Sequence, residues 1–255
     1  MIFDRRRYGK DNYVYLLAEG EEAALVDPGD PDVALRLASA HGIRPRFVLH
    51  THGHFDHTGG SAEVVRVLKA VVYGSAADAS FYPPDIDVAG QGELELGTLR
   101  VRVHEVPGHT PGSLLFEWRG LLFTGDTLFW GGCGNCRHGG DPSRLAQSFL
   151  SVIGPLDDDL RVHPGHDYAE ANLPFALDLE PSNEEAHVRL GAVRSARGRG
   201  EEPPAPALGD ERRANPFLHP GALIPALARR GHACRDAREA FLALRSLRDV
   251  FRGAS

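Results

Sequence analysis

The sequence predicts an α/β chain: a sheet-rich part, residues 1–170, followed by a helical appendage, residues 171–255. Three observations carry this. Short apolar, β-branched runs alternate with helix-period stretches as far as Tyr168. Beyond Tyr168 only helical patterns recur. Four of the apolar runs end in a Gly- or Thr-bearing turn that presents a histidine or an aspartate, which is how strand ends build a shared site along one edge of a sheet.

The elements follow in order. Asn12–Leu17 and Ala23–Val26 read as a hairpin across Glu19-Gly20-Glu21. Asp30 caps a helix with Pro31 in its first turn, running to Ala40 and stopping at Gly42. Phe47–His50 is a strand and Ser61–Lys69 a helix, with Val64, Val65 and Leu68 on one face. Val71–Tyr73, Leu94–Leu96, Leu99–Val106, Leu114–Trp118 and Leu121–Thr124 read as strands. Asp141-Pro142 opens a helix that turns Leu145, Phe149 and Val152 inward, and Leu160–Val162 is the last strand. Glu170–Leu179 is helical. Ser182 with Glu185 three residues on forms a capping box for a helix to about Ala196. Arg197–Asp210, rich in Gly, Pro and Glu, reads as an exposed loop, and Arg238–Phe251 as an amphipathic helix.

Bulk properties exclude several classes. The 255 residues suffice for a sizeable core. A net charge of −7 leaves no basic stripe to neutralise phosphates, which argues against nucleic acid as partner. The basic start, Arg5-Arg6-Arg7, is not followed by an apolar segment, so no signal peptide is expected, and no apolar run approaches membrane-spanning length. Three cysteines without an export signal point to the cytoplasm and reduced thiols. Cys133-Gly134-Asn135-Cys136 is a C-x-x-C, but it lies among glycines rather than opening a helix. Two reduced loop thiols are the first reading, with redox or metal roles as alternatives.

The chemistry concentrates in His50-Thr51-His52-Gly53-His54-Phe55-Asp56-His57. His52 and His54 sit two apart, so on an extended strand end their rings point the same way. Asp56 and His57 follow on a turn. Imidazole and carboxylate together suit zinc, manganese or iron. His109 follows the run Leu99–Val106, Asp126 follows Leu121-Leu122-Phe123, and His166 follows Leu160-Arg161-Val162. A lone histidine or aspartate at a strand end is an ordinary turn residue; the set is a metal-site signature.

His52-x-His54-x-Asp56-His57 with His109, Asp126 and His166 resembles the dinuclear signature of the metallo-β-lactamase superfamily, and the flanking residues resemble glyoxalase II, the hydroxyacylglutathione hydrolases. The supporting stretches run almost end to end: Asp11-Asn12-Tyr13, Val26-Asp27-Pro28, Gly132-Cys133-Gly134, Gly165-His166-Asp167-Tyr168, Asn215-Pro216-Phe217 and Arg245-Ser246-Leu247-Arg248-Asp249. The resemblance implies a four-layered αββα sandwich for the first part. It implies two divalent ions, zinc first and iron or manganese as alternatives. His52, His54 and His109 would hold one ion and Asp56, His57 and His166 the other, with Asp126 bridging. Asp56 and Asp126 are thereby catalytic through the hydroxide that such a pair generates at neutral pH. The implied substrate is a small-molecule thioester of a glutathione-type thiol, whose thiolate, of pKa about 8.5, departs without a proton donor.

The thiol half falls to the appendage. Tyr168, Arg245 and Arg248 match the family's substrate-binding positions; two arginines one turn apart form a cationic face suited to a carboxylate. Asn135 stands where the family has a basic residue, Arg137 where it has Tyr and His219 where it has Arg. The loop from Asn135 to Gly140 is therefore the expected seat of altered specificity. Two enzyme readings compete with glutathione thioester hydrolysis. One is a persulfide dioxygenase-like mononuclear iron protein on His52, His109 and Asp126. The other is a related hydrolase of a different thioester or a lactone. A binding protein without turnover would have lost ligands, and none is lost.

Overall fold

A computed structural model describes residues 1–79 and 82–252. The first sheet contains β1 (Ile2–Tyr8), β2 (Asn12–Glu19), β3 (Glu22–Val26), β4 (Phe47–Leu49), β5 (Val71–Gly74) and β6 (Ile86–Asp87), side by side in that order. β1 to β3 are antiparallel, and β3 to β6 run parallel. The second sheet uses β7 (Glu93–Leu96), β8 (Leu99–Glu105), β9 (Leu114–Trp118) and β10 (Leu121–Gly125). A short hairpin, β11 (Leu128–Phe129) with β12 (Gly132–Cys133), stands apart from it. β13 (Arg161–Pro164) then pairs parallel to β10 and closes the order β13-β10-β9-β8-β7.

The two sheets pack face to face through Tyr13, Tyr15, Leu17 and Leu49 of the first and Val101, Phe116, Trp118 and Phe123 of the second. The alternate residues of β2, Val14 and Leu16, turn the other way. There they meet α1 (Pro31–Ala40) and α3 (Ser61–Leu68) through Ala34, Leu37 and Val64. β2 is apolar or aromatic from Tyr13 to Ala18 because both of its faces are covered. Between β4 and α3 lies the single turn α2 (Phe55–Thr58). The outer face of the second sheet, with Leu115, Leu122 and Val162, is covered by α4 (Pro142–Ser148) and by the C-terminal helices. These are α5 (Ala169–Leu179), α6 (Glu184–Gly198), α7 (Leu208–Ala214), α8 (Ile224–Arg229) and α9 (Ala237–Val250). The layers are thus α, β, β, α, with a helical C-terminal region. Among the described residues no helix is long and apolar enough to cross a membrane.

Several local expectations change. β1 was not expected, because Asp4-Arg5-Arg6-Arg7 hides the alternation; charge on an edge strand also deters pairing with another chain. Asn183 rather than Ser182 caps α6, its side chain accepting from Ala186 N at 3.0 Å. After α4 the chain makes a π turn over Phe149–Ile153. The wider turn shifts the inward face by one residue, so Ile153 is buried and Val152 only half-buried. The expected loop Arg197–Asp210 is shorter at both ends: Arg197 still belongs to α6, and α7 begins at Leu208.

Candidate metal centre

All the ligand candidates lie just beyond the C-terminal ends of strands. β4 leads into His52, His54, Asp56 and His57; β8 into His109; β10 into Asp126; and β13 into His166. Because β4, β10 and β13 present the same ends to this edge, distant segments converge. The atoms of His52, His54 and His109 that face a common point lie within 4.8 Å of one another, as do those of Asp56, His57 and His166. His54 Nδ1 is 3.1 Å from both His52 Nε2 and His109 Nε2. His57 Nε2 is 3.2 Å from His166 Nε2, and Asp56 Oδ2 is 3.2 Å from that same nitrogen. Asp126 touches both groups: Oδ1 is 3.4 Å from His57 Nε2, and Oδ2 is 3.4 Å from His166 Nε2 and 3.6 Å from His109 Nε2.

The far sides of three rings are held. His166 Nδ1 meets Asp11 Oδ1 at 2.8 Å, His57 Nδ1 meets Asp27 Oδ2 at 3.0 Å, and His109 Nδ1 donates to the carbonyl of Asn135 at 2.7 Å. Such partners fix the tautomer, so that Nε2 presents a lone pair to the centre. Asp27 also accepts from Thr51 N at 2.8 Å and Thr51 Oγ1 at 2.6 Å, pinning the start of the histidine loop. Asp78 ties that loop to the next: it accepts from Gly53 N at 3.2 Å, from Gly112 N at 2.8 Å and from the Thr110 hydroxyl. Backbone closeness matters as well. A Cβ on Gly165 would lie 2.5 Å from Asp126 Oδ1 and 2.6 Å from His57 Cε1, so only glycine fits there.

These residues suit cations. Asp126 Oδ1 is buried without a hydrogen-bond partner, and His52 Nε2, His54 Nδ1 and His109 Nε2 crowd together with few protons to share. Burial opposes charge on His57, yet Asp126 and Asp27 raise its pKa to about 10. Burial likewise opposes charge on His166, which Asp126, Asp56 and Asp11 raise to about 11. Burial pushes Asp126 up, but His166 and His57 outweigh it and hold the carboxyl well below its usual range. A site so rich in negative charge and imidazole attracts divalent ions.

The centre floors a cavity of about 700 Å³, lined by His54, Asp56, His109, Asp126 and His166, with Asn135, His138 and Tyr168 at its wall. A second pocket of about 230 Å³ is lined by Asn135, Arg137, Tyr168, Arg245 and Arg248; Asn135 and Tyr168 border both. The Tyr168 ring stacks on His166 at 4.9 Å. The two arginines differ. Arg248 is half-buried and reaches Asn172 Oδ1 through Nε and Nη2 at 3.3 and 3.1 Å. Arg245 is 6% exposed, with Nη1 on the carbonyls of Cys133 and Gly134 at 2.9 and 3.1 Å and Nη2 on Asp249 at 2.9 Å. Both arginines line this pocket, but they are not equally free: the Arg245 guanidinium is already engaged by two carbonyls and Asp249. Arg137 is exposed and reaches Asp249 O at 3.1 Å. Cys133 and Cys136 are free thiols whose pKa values burial pushes up to about 11 and about 12, which leaves little reactive thiolate at neutral pH.

Asp11 and Asp27 were visible only as parts of supporting stretches. Asp27 does carry a signal, an aspartate at a strand end before Pro28-Gly29, with φ of 51°. Asp78 had none, since its partners lie 25 to 34 residues away.

Comparison with known proteins agrees with this geometry. Residues 7–166 match the metallo-beta-lactamase superfamily, and residues 167–251 match the hydroxyacylglutathione hydrolase C-terminus. A hydroxyacylglutathione hydrolase from Anaeromyxobacter dehalogenans is 62% identical over 98% of this chain and 99% of its own. One from Methylobacillus flagellatus is 36% identical over 95% and 96%. Among solved structures, ETHE1 from Myxococcus xanthus superposes with a TM-score of 0.71 at 25% identity, covering 99% of this chain and 93% of its own. TTHA1623 in a di-iron-bound form gives 0.62 at 29% identity, over 84% and 100%. The chain belongs to the hydroxyacylglutathione hydrolase, or glyoxalase II, family of the metallo-β-lactamase superfamily.

Proposed function

We propose that this enzyme hydrolyses S-2-hydroxyacyl-glutathione thioesters of the S-lactoylglutathione type to a 2-hydroxy acid and free thiol. The observation that carries this is the pair of ligand clusters sharing Asp126 at the floor of a cavity that adjoins an arginine-bearing pocket. In this reading residues 1–170 form the catalytic part and 171–255 the substrate-binding part.

His52, His54 and His109 would hold one divalent ion and Asp56, His57 and His166 a second, with Asp126 shared. Zinc suits the donor set, and the di-iron-bound relative keeps iron as an alternative. When bound, such ions acidify water from a pKa of about 15.7 toward 7 and polarise a carbonyl. The chain supplies the rest. Asp11, Asp27 and the Asn135 carbonyl orient three imidazoles. Asn12 Nδ2 donates to Asp56 Oδ2 at 3.1 Å and steadies the most exposed ligand. Tyr168 and Asn135, at the border of the two cavities, place the thioester with its acyl group toward Asp126. The thiol half extends toward Arg248 and Arg137, whose charges suit a carboxylate. The thiolate leaves unaided, so no residue is required as proton donor.

Metal quantitation on protein purified without chelator, combined with thioester and oxygen-uptake assays, tests the proposal. Two ions per chain and hydrolysis of S-lactoylglutathione are expected. One iron per chain with oxygen consumption on glutathione persulfide would replace it with the dioxygenase reading.

A further inference from the structure

Six consecutive residues beside the metal centre are held by side chains of the C-terminal helices. Asn215 Nδ2 donates to Phe129 O at 3.2 Å and Gly132 O at 3.0 Å. Asn172 Nδ2 donates to Trp130 O at 3.2 Å, and Glu211 Oε2 accepts from Gly131 N at 2.8 Å. Arg245 Nη1 donates to Cys133 O and Gly134 O. These side-chain partners come from α5, α7, the residue just after α7, and α9, and they add to the short β11–β12 pairing of Phe129 with Gly132. The strip has little conformational preference of its own, with glycine at 131, 132 and 134.

The next residue, Asn135, offers the carbonyl that accepts from His109 Nδ1 at 2.7 Å. Gly134 presses against the centre: a Cβ there would lie 2.0 Å from Asp126 O and 2.9 Å from His109 Nδ1. Glu211 and Asn215 are fully buried, and Arg245 nearly so. They lie among Leu128, Trp130, Phe217 and Phe241, where polar groups are costly unless paired. A role confined to the thiol pocket does not account for Glu211 and Asn215, which do not line it.

We propose that Asn215, Glu211 and Arg245 are positioning residues for the metal centre: they template residues 129–134 and thereby set the ring of His109 through the Asn135 carbonyl. The helical region then acts on metal affinity and turnover as well as on thiol binding. This rests on the reading of His109 as a ligand.

The test compares Asn215→Ala, Glu211→Ala and Glu211→Gln with the parent in the full-length protein. Folding is followed by circular dichroism, zinc affinity by chelator competition, and kinetics with S-lactoylglutathione. Asn215→Ala and Glu211→Ala should stay folded and bind zinc about ten- to a hundredfold more weakly, the usual cost of losing a group that orients a ligand. The turnover number should fall while KM stays within about twofold. Glu211→Gln keeps a carbonyl oxygen for Gly131 N–H and should recover most of the affinity. Should the alanine variants not fold, Arg245→Lys is read the same way, since an ammonium lacks the fork that spans two carbonyls. Folded variants that bind zinc like the parent, or that raise KM alone, overturn the proposal. His109→Ala in parallel separates the two readings: unchanged zinc binding in that variant would show that His109 is no ligand, which undoes the premise rather than the template.

Discussion

The strand-end loops and the arginine-bearing pocket use their charged side chains in opposite ways. At the strand ends seven side chains turn their ligand atoms toward one another, with His57, His166 and Asp126 meeting within 3.4 Å and the far sides of His57 and His166 pinned by aspartates. At the pocket Arg245 commits Nη1 to the 129–134 strip and Nη2 to Asp249, while Arg248 stays half-buried on Asn172. The first arrangement is set by where the chain turns after each strand, the second by what the helix packs against. A charge pattern on a helix therefore says less about function than a polar residue at a strand end.

Removing the shared ligand should give the largest effect. Asp126→Ala should lower kcat by more than about a hundredfold, beyond the cost of losing a residue that only orients a ligand. Circular dichroism of the metal-free variant should still report the parent fold. Near-parent activity with both ions bound would dissolve the contrast between the two regions.

The two arginines test the contrast directly. Arg248→Ala should raise KM about ten- to a hundredfold with kcat unchanged, as expected for a charge-assisted contact worth roughly 1.5–3 kcal/mol in ground-state binding. Arg245→Ala should instead cost stability, about 1–3 kcal/mol for each carbonyl left buried without a donor, visible as a lowered melting temperature. Identical KM effects from both would mean that Arg245 turns outward to substrate.

A histidine outside the ligand set sharpens the same distinction. His163 has both ring nitrogens buried without partners, among Phe3, Tyr15 and Phe123. Burial, then Arg5 and Arg161, bring its pKa down to about 3. Between about pH 6.5 and pH 3 the unfolded chain takes up the proton and the folded chain does not. Stability should therefore fall as pH falls through that window, by up to about 1.4 kcal/mol per pH unit from this group. His163→Phe should flatten that slope and add about 1 kcal/mol at neutral pH, measured by denaturant unfolding, with zinc affinity unchanged. A loss of zinc would place His163 in the centre.

The smallest effect is expected at the pocket rim. Arg137 is exposed and its ion pair with Asp249 spans 3.6 Å, so Arg137→Ala should change KM by less than about fivefold. A larger change with one thiol and not another would identify the loop from Asn135 to Gly140 as the specificity element.

The longer strands after β1, most of the longer helices and the ligand candidates were legible because each depends on local pattern: two-residue alternation, a cap, or a polar residue after an apolar run; the short strands β6, β11 and β12 and the helices α7 and α8 were not. β1 was not, because an edge strand uses charge where a central one uses apolar residues. Val152 was misplaced because a π turn leaves no mark on a helical period. The unequal hydrogen bonding of Arg245 and Arg248 was not legible, because it depends on the packing of α9 on Phe217 and the glycine strip.

The sequence by itself determined the succession of strands and helices and the set of seven ligand candidates, which follow from short-range pattern, while the family and its αββα layering came through the resemblance that those motifs carry. Only the tertiary structure decided which oxygen and nitrogen atoms meet, that Asp11, Asp27 and Asp78 hold the loops, and that Arg245 serves the strip. Those contacts join residues tens to hundreds of positions apart, and their geometry depends on how two sheets and the covering helices pack rather than on any one segment.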